Sequence, residues 1–389
     1  MSTAKVSSAA TKGSAITSAA ELPTAKRVVI KIGSSSLTTV AGGISVEALQ
    51  SLVRACQQLR QHGTEVVLVS SGAIAAGLAP LGLATRPHDL ATQQAAAAVG
   101  QGELMAHYSR AFGDYGVTVS QLLLTVDDLI RRATYTNALR ALEKLLALGT
   151  VPIINENDAV ATAEIRFGDN DRLAAVTANL LHADALVLFS DVDALYDGPP
   201  SEGGQPLARV RSREDLSGVT LGPRGRAGVG TGGMVTKVEA AQIVNTNGTP
   251  AILTSASNAA ALLAGGEVGT FFEARGKRRG ARSAWLAHLA HTKGSVFVDA
   301  GAVRAIVQDR RSLLPAGITE ISGSFDAGDV VEVAGPDGLV RARGVSAFSS
   351  AELPQMCGRS TAELGAELGA DYQRPVIHTD DMVRVEVPV

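Results

Sequence analysis

Short apolar runs alternate with helical patterns from residue 27 to about residue 272. Helical spacing of apolar residues covers residues 45–62, 91–112, 134–148, 171–182 and 234–247. The strand-like runs are RVVIKIG (27–33), EVVLVSSG (65–72), VTVSQLLL (117–124), VPIINEN (151–157), ALVLFSD (185–191) and TPAILTS (249–255). Continuous apolar strands between helices predict an α/β sandwich, in which helices cover both faces of a mainly parallel sheet. Ligands of such sheets bind beyond the carboxyl ends of the strands.

The pattern changes near residue 275, where RGKRRGAR (275–282) is a basic segment punctuated by glycine. After it, short strands such as GDVVEVAG and MVRVEV are separated by turn signals, which predicts a small β-rich barrel domain. Residues 1–23 are rich in Ser, Thr and Ala and lack a continuous apolar core. We therefore predict a disordered tail (1–24), an α/β domain (25–274), a linker (275–292) and a β-rich domain (293–389).

Composition and charge exclude several classes of protein. Hydrophobic residues make up 46% of the chain, which is ample for a buried core, and the formal net charge of −3 argues against a polyanionic partner for the whole chain. Cys56 and Cys357 are too far apart to suggest a disulfide framework or a zinc site, so we expect a cytoplasmic protein. No apolar run reaches the length of about 18 residues that a membrane span requires.

Small residues follow the predicted strands at three places and precede a predicted helix at a fourth. KIGSSSL places Gly33 directly after a predicted strand, and Lys31 is near the end of that strand. VSSGAIAAG places Ser71 and Gly72 before a helix. FSDVDALY and GVGTGGMVTK, the second ending in Lys237, are similar loops. Small residues let backbone N–H groups approach an anion, and helix N-termini favour negative charge. Loops of this kind at one edge of one sheet indicate a phosphorylated ligand.

Each of these loops also has a structural explanation. Glycine-rich turns occur throughout α/β proteins, serines act as N-caps, and lysines on helices are mostly solvated. The segment Gly228-x-Gly230-x-x-Gly233 fits a dinucleotide fingerprint, but no strand directly precedes it and no acidic residue follows at the required distance. A Walker A sequence is also absent. We therefore reject a Rossmann NAD site and a P-loop.

The segment NENDAVATAEIRFGDND (155–171) is dense in carboxylates and amides. Asp and Asn are also common in turns and helix caps, which is the alternative explanation. Because both halves flank one excursion after a strand, we favour a binding role. Asp suits the ammonium of a zwitterionic ligand, while Asn N–H and backbone N–H groups suit its carboxylate. The same residue types suit Mg²⁺.

These motifs, taken in order, resemble those of bacterial glutamate 5-kinases, which belong to the amino-acid kinase fold family. The segment containing DAGAVRAI, SLLPAGI and GVSAFSSAEL resembles the PUA domain that many of these kinases carry. The resemblance covers roughly residues 27–389. It implies an amino-acid kinase-type αβα sandwich with a C-terminal PUA-like barrel. It also implies an enzyme that uses ATP and Mg²⁺ to phosphorylate the γ-carboxylate of L-glutamate, the first step of proline biosynthesis.

The resemblance also implies roles for individual residues. The catalytic positions are Lys31, Lys237 and Asp171, with the lysines contacting phosphate and Asp171 ordering them. The glutamate-contacting positions are Ser71, Gly72, Asn155, Asp158, Asp169 and Asn170. The ATP-binding positions are Lys31, Gly33, Ser190, Asp191, Thr231, Gly232, Gly233, Met234 and Lys237. No metal ligand is assigned. Arg166 stands where some relatives carry Lys, so its contact geometry differs from theirs.

The resemblance further implies feedback inhibition by proline, a homo-oligomer (dimer or tetramer) and channelling of the product to glutamate-5-phosphate reductase. One alternative is a kinase of the same fold for another small acid or a nucleoside monophosphate. A second is an RNA-binding protein that acts through its PUA domain. Residues 293–389 carry nine Lys or Arg against 14 Asp or Glu, a net charge of −5. That sign disfavours a phosphate-tracking surface, so we do not expect a nucleic-acid partner.

Overall fold

The computed structural model describes residues 16–39, 43–125, 128, 132–160, 170–212, 214–219, 233–275, 286 and 292–385. The chain divides into two compact units, one of residues Met1–Thr125 and Arg140–Gly276, the other of Val126–Leu139 and Lys277–Val389. Most of the expected linker at 275–292 lies outside the described residues. The bounds expected for the two domains therefore stay a prediction.

An eight-stranded sheet forms the centre of the first unit. Its strands are β1 (Arg27–Ile32), β2 (Glu65–Ser70), β3 (Val119–Leu124), β4 (Val151–Glu156), β5 (Ala185–Ser190), β8 (Arg209–Val210), β9 (Ala251–Ser255) and β10 (Thr270–Phe272); β6 (Leu195–Tyr196) and β7 (Pro206–Leu207) form a separate ribbon. The order is β3-β4-β2-β1-β5-β9-β10-β8, and β10 runs antiparallel to β9 while the other pairings are parallel. All six apolar runs form strands, as predicted.

The helices of this unit are α1 (Ser34–Leu37), α2 (Val46–Gln61), α3 (Ala73–Leu78), α4 (Leu90–Gly113), α6 (Asn170–Leu180), α7 (Met234–Asn245) and α8 (Ala259–Leu263), and the helix between α4 and α6, α5 (Arg132–Ala147), has its first eight residues in the second unit and the rest in the first. Helix α2 begins at Ser45, whose side chain accepts a hydrogen bond from the N–H of Ala48, and it buries Leu49, Leu52 and Val53. Periodicity predicted the five long helices. It missed α3, because six residues are too few for a helical repeat.

Two glycines bring the backbones of α3 and α4 into contact. A Cβ atom at Gly77 would lie 1.9 Å from the carbonyl oxygen of Ala96, and one at Gly100 would lie 1.8 Å from the carbonyl oxygen of Ala73. No side chain fits at either position, since the obstacle is backbone. The contact fixes α4 against the segment that directly follows β2, which is a predicted ligand-binding loop.

The N-terminal segment corrects one expectation. A 3-10 helix covers Ala19–Thr24, and Ile16, Ala19 and Leu22 are buried in the core of the first unit. The expectation of a disordered tail through residue 24 is therefore wrong for residues 16–24. Three apolar side chains at i, i+3 and i+6 were too short a pattern to stand out among the surrounding Ser, Thr and Ala. Residues 1–15 lie outside the described part of the chain.

The second unit is β-rich, as predicted. Its strands β11 (Gly294–Val298), β12 (Ile318–Gly323), β13 (Val330–Ala334), β14 (Val340–Val345) and β15 (Met382–Arg384) form a sheet in the order β12-β11-β13-β14-β15. Helices α9 (Ala300–Val307) and α10 (Thr361–Leu368) accompany it, and α10 begins with a capping box between Ser360 and Glu363. Across the described residues of both units, no helix has the length and apolar character to span a membrane.

Candidate functional site

Lys31 lies near the carboxyl end of β1, the strand at which the sheet order reverses. Strand β1 pairs with β2 on one side and with β5 on the other. Strands β2, β4 and β3 lie on one side of it, and β5, β9, β10 and β8 lie on the other. Crevices that bind ligands in open α/β sheets form at such a switch point. Only 3% of the surface of Lys31 is exposed, so its ammonium group needs a partner inside the protein.

That partner is Asp171, in the first turn of α6, which also contacts Lys237 in the first turns of α7. Asp171 is fully buried; its Oδ1 atom contacts Nζ of Lys31, and its Oδ2 atom lies 3.2 Å from Nζ of Lys237. The hydroxyl of Thr236 also donates to Oδ2 at 3.1 Å. These three charged residues (Lys31, Asp171 and Lys237) form the lysine–aspartate cluster. It carries one more positive than negative charge, which suits an anionic ligand.

An ion pair holds α6 and α7 in the register that this cluster needs. Nε of Arg172 donates to Oε2 of Glu239 at 3.2 Å. Arg172 directly follows Asp171 in α6, and Glu239 lies two residues after Lys237 in α7. Charged pairs between planar groups constrain orientation as well as distance. The pair therefore keeps the start of α6 beside the start of α7.

Gly33 follows β1 directly and lies beside the ammonium group of Lys31. Gly33 has a φ of −76°, which any residue adopts, so its backbone does not require glycine. A Cβ atom there would lie 3.8 Å from Nζ of Lys31. Because residue 33 is glycine, no side chain contacts the ammonium group from this position. The N-terminus of α7 adds a favourable dipole for an anion. The residues present fit a phosphate group.

A second cluster joins the ends of β2 and β4 to the start of α6. Nδ2 of Asn170 donates to Oγ of Ser71 at 2.8 Å, to Oδ1 of Asn155 at 2.9 Å and to the carbonyl of Ser70 at 3.1 Å. Nδ2 of Asn155 in turn donates to Oε1 of Gln101, on α4, at 2.8 Å. We call Gln101, Asn155 and Asn170 the amide cluster.

Two further features shape the loop after β2. Gly72 has a φ of +107°, in the left-handed region that favours glycine, and it immediately precedes α3. Beneath the loop, Ser70 Oγ and the hydroxyl of Tyr108 share a hydrogen bond of 2.9 Å. Burial raises the pKa of Tyr108 above its ordinary range, so its hydroxyl stays protonated. The residue before Ser71 is therefore hydrogen-bonded to the neutral, fully buried side chain of Tyr108.

Consecutive residues of α6 connect the two clusters. Asn170 points to the ends of β2 and β4, whereas Asp171 points to Lys31 and Lys237. Neighbouring side chains on a helix diverge by about 100° while their Cα atoms stay adjacent. A ligand bound at the amide cluster therefore lies close to one bound at the lysine–aspartate cluster. This arrangement suits a reaction between two bound molecules.

Comparison with known proteins agrees with this architecture. The model of the Amino acid kinase family matches residues 26–255, and that of the PUA domain matches residues 294–368. Glutamate 5-kinase from Streptomyces coelicolor is 58% identical over 360 residues, which cover 92% of this chain and 96% of that protein. Glutamate 5-kinase from Thermobifida fusca is 56% identical over 366 residues, which cover 94% of each. The chain belongs to the glutamate 5-kinase family.

Membership of the glutamate 5-kinase family makes the protein a kinase and confirms the expected fold class, an amino-acid kinase-type sandwich with a PUA domain. Among solved structures, carbamate kinase from Giardia lamblia bound to AMP-PNP matches 65% of this chain and 100% of that chain, at 19% identity and a TM-score of 0.46. A likeness of that size is too low to support an argument about function.

The residues expected at the site of a glutamate 5-kinase fall into three groups. The structure brings Lys31, Asp171 and Lys237 together, and it brings Ser71, Asn155 and Asn170 together next to Gly72. Gly233 and Met234 lie at the start of α7. At the end of β5, Ser190 Oγ donates to Oδ1 of Asp191 at 3.0 Å. Asp158 is half-buried in the turn after β4. Arg166, Asp169, Thr231 and Gly232 lie outside the described residues.

Sequence reasoning did not single out Gln101 or Tyr108 as parts of the site, and it named Thr236 only as part of the helix start that follows the glycine loop. Gln101 shares the buried face of α4 with Ala97, Leu104 and Tyr108, so it is a polar residue on an apolar helical stripe. That anomaly was present in the sequence and is the signal that would have found it. Thr236 differs, since its contact with Asp171 joins residues 65 positions apart and leaves no local pattern.

Proposed function

We propose that this protein transfers the γ-phosphoryl group of ATP to the side-chain carboxylate of L-glutamate. The product is γ-glutamyl phosphate, and the reaction is the first step of proline biosynthesis. The observation that carries the proposal is the adjacency of Asn170 and Asp171, which joins an amide-lined subsite to a cationic one. The names of the relatives support the choice of glutamate as acceptor.

In this proposal, Lys31 and Lys237 act on the transferring phosphoryl group. Phosphoryl transfer is catalysed mainly by positioning and by offsetting charge on the equatorial oxygens. Two ammonium groups held by one buried carboxylate supply fixed positive charge without reorganisation during the reaction. Asp171 has the positioning role, because it is fully buried and contacts both ammonium groups.

Glutamate occupies the other subsite, in contact with Ser71, Gly72, Asn155, Asp158, Asp169 and Asn170. Its γ-carboxylate faces the lysine–aspartate cluster and is the nucleophile. A carboxylate with an ordinary pKa near 4.3 is already ionised at neutral pH, so the reaction needs no general base. The chain's task is then to orient two anionic reactants and to lower the repulsion between them.

ATP and Mg²⁺ belong to the same proposal. The nucleotide contacts Gly33, Ser190 and Asp191 and the segment Thr231–Lys237. Among the described residues, no group of three or more His, Cys, Asp or Glu side chains forms a metal site, and both oxygens of Asp171 face ammonium groups. This donor set fits an ion that is held chiefly by phosphate oxygens and water. When bound, Mg²⁺ offsets charge on the phosphates.

Further parts of the proposal concern regulation and cellular context. Proline carries the same ammonium and carboxylate groups as the main chain of glutamate, which supports its expected role as an inhibitor at or over the glutamate subsite. The free thiols Cys56 and Cys357 support a cytoplasmic location. A homo-oligomer and channelling to glutamate-5-phosphate reductase complete the proposal.

Hydroxamate trapping tests the acceptor directly, since hydroxylamine captures an acyl phosphate. We expect a signal that requires both Mg-ATP and L-glutamate, and a much weaker one with aspartate or N-acetylglutamate. A signal with one of those two acids and none with glutamate would assign the chain to a different small-acid kinase. No signal with any of the three would remove the proposed reaction.

A further inference from the structure

The amide cluster has a fixed sense of hydrogen bonding, and two backbone groups set it. The N–H of Glu156 donates to Oδ1 of Asn155 at 2.9 Å. A backbone N–H only donates, so the atom of Asn155 that faces it must be the oxygen. The nitrogen of Asn155 then faces Gln101 at 2.8 Å, and the atom of Gln101 that receives it must be Oε1.

The orientation of Asn170 follows from the other backbone group. The carbonyl of Ser70 only accepts, and it lies 3.1 Å from the terminal atom of Asn170, which must therefore be Nδ2. The same atom donates to Oδ1 of Asn155, which agrees with the orientation of that residue. Reversing any of the three amides would set two acceptors or two donors against each other.

This fixed sense leaves one acceptor at the site unused. Oδ1 of Asn170 is buried and has no hydrogen-bond partner among the described residues, while Nδ2 is shared by three protein acceptors. A buried carbonyl without a donor is costly, so its retention at a ligand-binding site indicates a donor on the ligand. Nδ2 of Asn170 is taken up by protein acceptors here, and the expectation that Asn N–H groups hold the substrate carboxylate stays a prediction.

The side-chain nitrogen of Gln101 is also buried without a hydrogen-bond partner among the described residues. Only 8% of its surface is exposed, and its Nε2 atom has no partner within the described residues. An alanine or leucine on this face of α4 avoids that cost. The contact that offsets it is the hydrogen bond accepted from Asn155, and α4 is held in place for this contact by Gly100, the preceding residue.

We propose that Gln101 is a positioning residue of the acceptor subsite. By accepting from Asn155 it supports the orientation that the N–H of Glu156 gives Asn155, and through Asn155 the orientation that the carbonyl of Ser70 gives Asn170, so that Oδ1 of Asn170 faces the ammonium group of the amino-acid substrate. The inference rests on the proposed function, because it concerns the same subsite. Gln101 itself does not touch the substrate; it holds in place the side chains of Asn155 and Asn170, whose orientations the backbone sets.

The test compares Gln101→Met, which keeps the volume and removes the acceptor, with Gln101→Glu, which keeps an acceptor at the same place. The readouts are KM for glutamate, KM for ATP, and the inhibition constant of glutarate, which lacks the ammonium group. We expect Gln101→Met to raise KM for glutamate by about 5- to 50-fold, with KM for ATP within about twofold of wild type. Glutarate binding changes less, so the preference for an ammonium group shrinks. Gln101→Glu restores that preference.

Gln57 on α2 offers a matched control. It is 6% exposed, and its Nε2 atom likewise lacks a partner among the described residues, but its oxygen accepts from Arg60 rather than from the site. We expect Gln57→Met to leave every kinetic constant within about twofold. Melting temperatures of all three variants show whether any effect comes from a loss of folding.

Distinct outcomes separate this inference from the proposed function. If wild-type protein gives no glutamate-dependent product, the proposed function fails first. If wild type is active and Gln101→Met keeps its KM for glutamate and its preference over glutarate, Gln101 does not position the subsite. Equal losses in Gln101→Met and Gln57→Met, equal effects on both substrates, or no recovery in Gln101→Glu also overturn the inference, because each indicates a merely structural role.

Discussion

Nζ of Lys237 lies 3.2 Å from Oδ2 of Asp171, and both side chains are buried. The opposite oxygen of the same carboxylate contacts Lys31. One carboxylate therefore orders two ammonium groups that come from different elements of the fold, the end of β1 and the start of α7. The two ammonium groups carry one more charge than the carboxylate offsets, and this excess positive charge can attract a bound anion. Removing any of the three side chains changes that balance.

Replacing Lys237 by Ala should lower kcat far more than it raises KM for glutamate. The ammonium group acts on the transferring phosphoryl group, and loss of one preorganised donor of this kind reduces kcat by about 10²- to 10³-fold. Steady-state kinetics with glutamate and ATP varied separately measures the effect. The exposed Lys144 on α5 provides the control, since Lys144→Ala removes an equal charge elsewhere. A raised KM with unchanged kcat would mean that we have exchanged the two subsites.

Asp171→Asn should destabilise the protein in the absence of ligand. The substitution leaves two buried ammonium groups near each other without an anion, and breaking a buried ion pair in this way costs about 3–5 kcal/mol. Chemical denaturation should show that loss, and inorganic tripolyphosphate should raise the melting temperature of the variant more than that of wild type. Asp114→Asn, at an exposed position outside the site, should show neither effect. An Asp171→Asn protein as stable as wild type would contradict the role assigned to this carboxylate.

The sequence predicted the sheet and the loops well, but not how the loops meet. The runs around Lys31 and Asn155 form strands because each contains enough consecutive apolar residues to be buried on both faces. Their mutual contacts depend on chain segments far apart, such as the 54 positions between Gln101 and Asn155. Local patterns carry no information about such pairs. For the same reason, the hydrogen bond between Asn170 and Asn155, 15 positions apart, was not predictable.

Gly100→Ala should destabilise the protein even though alanine is the better helix former. The added Cβ would stand 1.8 Å from the carbonyl oxygen of Ala73, and backbone cannot yield as a flexible side chain does. Overpacking of this kind costs about 1–3 kcal/mol. Gly102 on the same helix is the matched control, because nothing lies within 4 Å of a Cβ there. Urea denaturation should show stabilisation of Gly102→Ala by about 0.5–1 kcal/mol; a loss in both variants would point to a helix-wide effect instead.

Asn170→Ala and Asp158→Ala should mainly raise KM for glutamate. In Asn170→Ala the substrate loses an acceptor for its ammonium group, and hydrogen bonds to charged groups contribute about 1.5–3 kcal/mol, or roughly 10- to 150-fold in affinity. We expect KM for ATP to change little. Asn258→Ala is a suitable control, since its amide donates to Thr254 and not to the amide cluster. A larger change in KM for ATP than in KM for glutamate would move Asn170 to the nucleotide subsite.

The thiol of Cys56 should resist alkylation in the folded protein. Its side chain is fully buried on α2, and burial raises the pKa of Cys56 to about 12. Iodoacetamide at pH 8, followed by mass spectrometry, should modify the partly exposed Cys357 first and Cys56 only after unfolding. Equal rates at the two positions would show that α2 opens readily.

The same shift gives a dependence of stability on pH. An unfolded thiol loses its proton near pH 8.5, whereas the folded Cys56 keeps it up to about pH 12, so the folded state binds more protons between these values. The free energy of unfolding should therefore fall as the pH rises through this window, and be unaffected by this group below it. The difference in unfolding free energy between wild type and Cys56→Ala, measured at pH 7.5 and again near pH 10, isolates the contribution from other groups. A difference that stays constant between these two pH values would mean that the folded and unfolded thiols titrate alike.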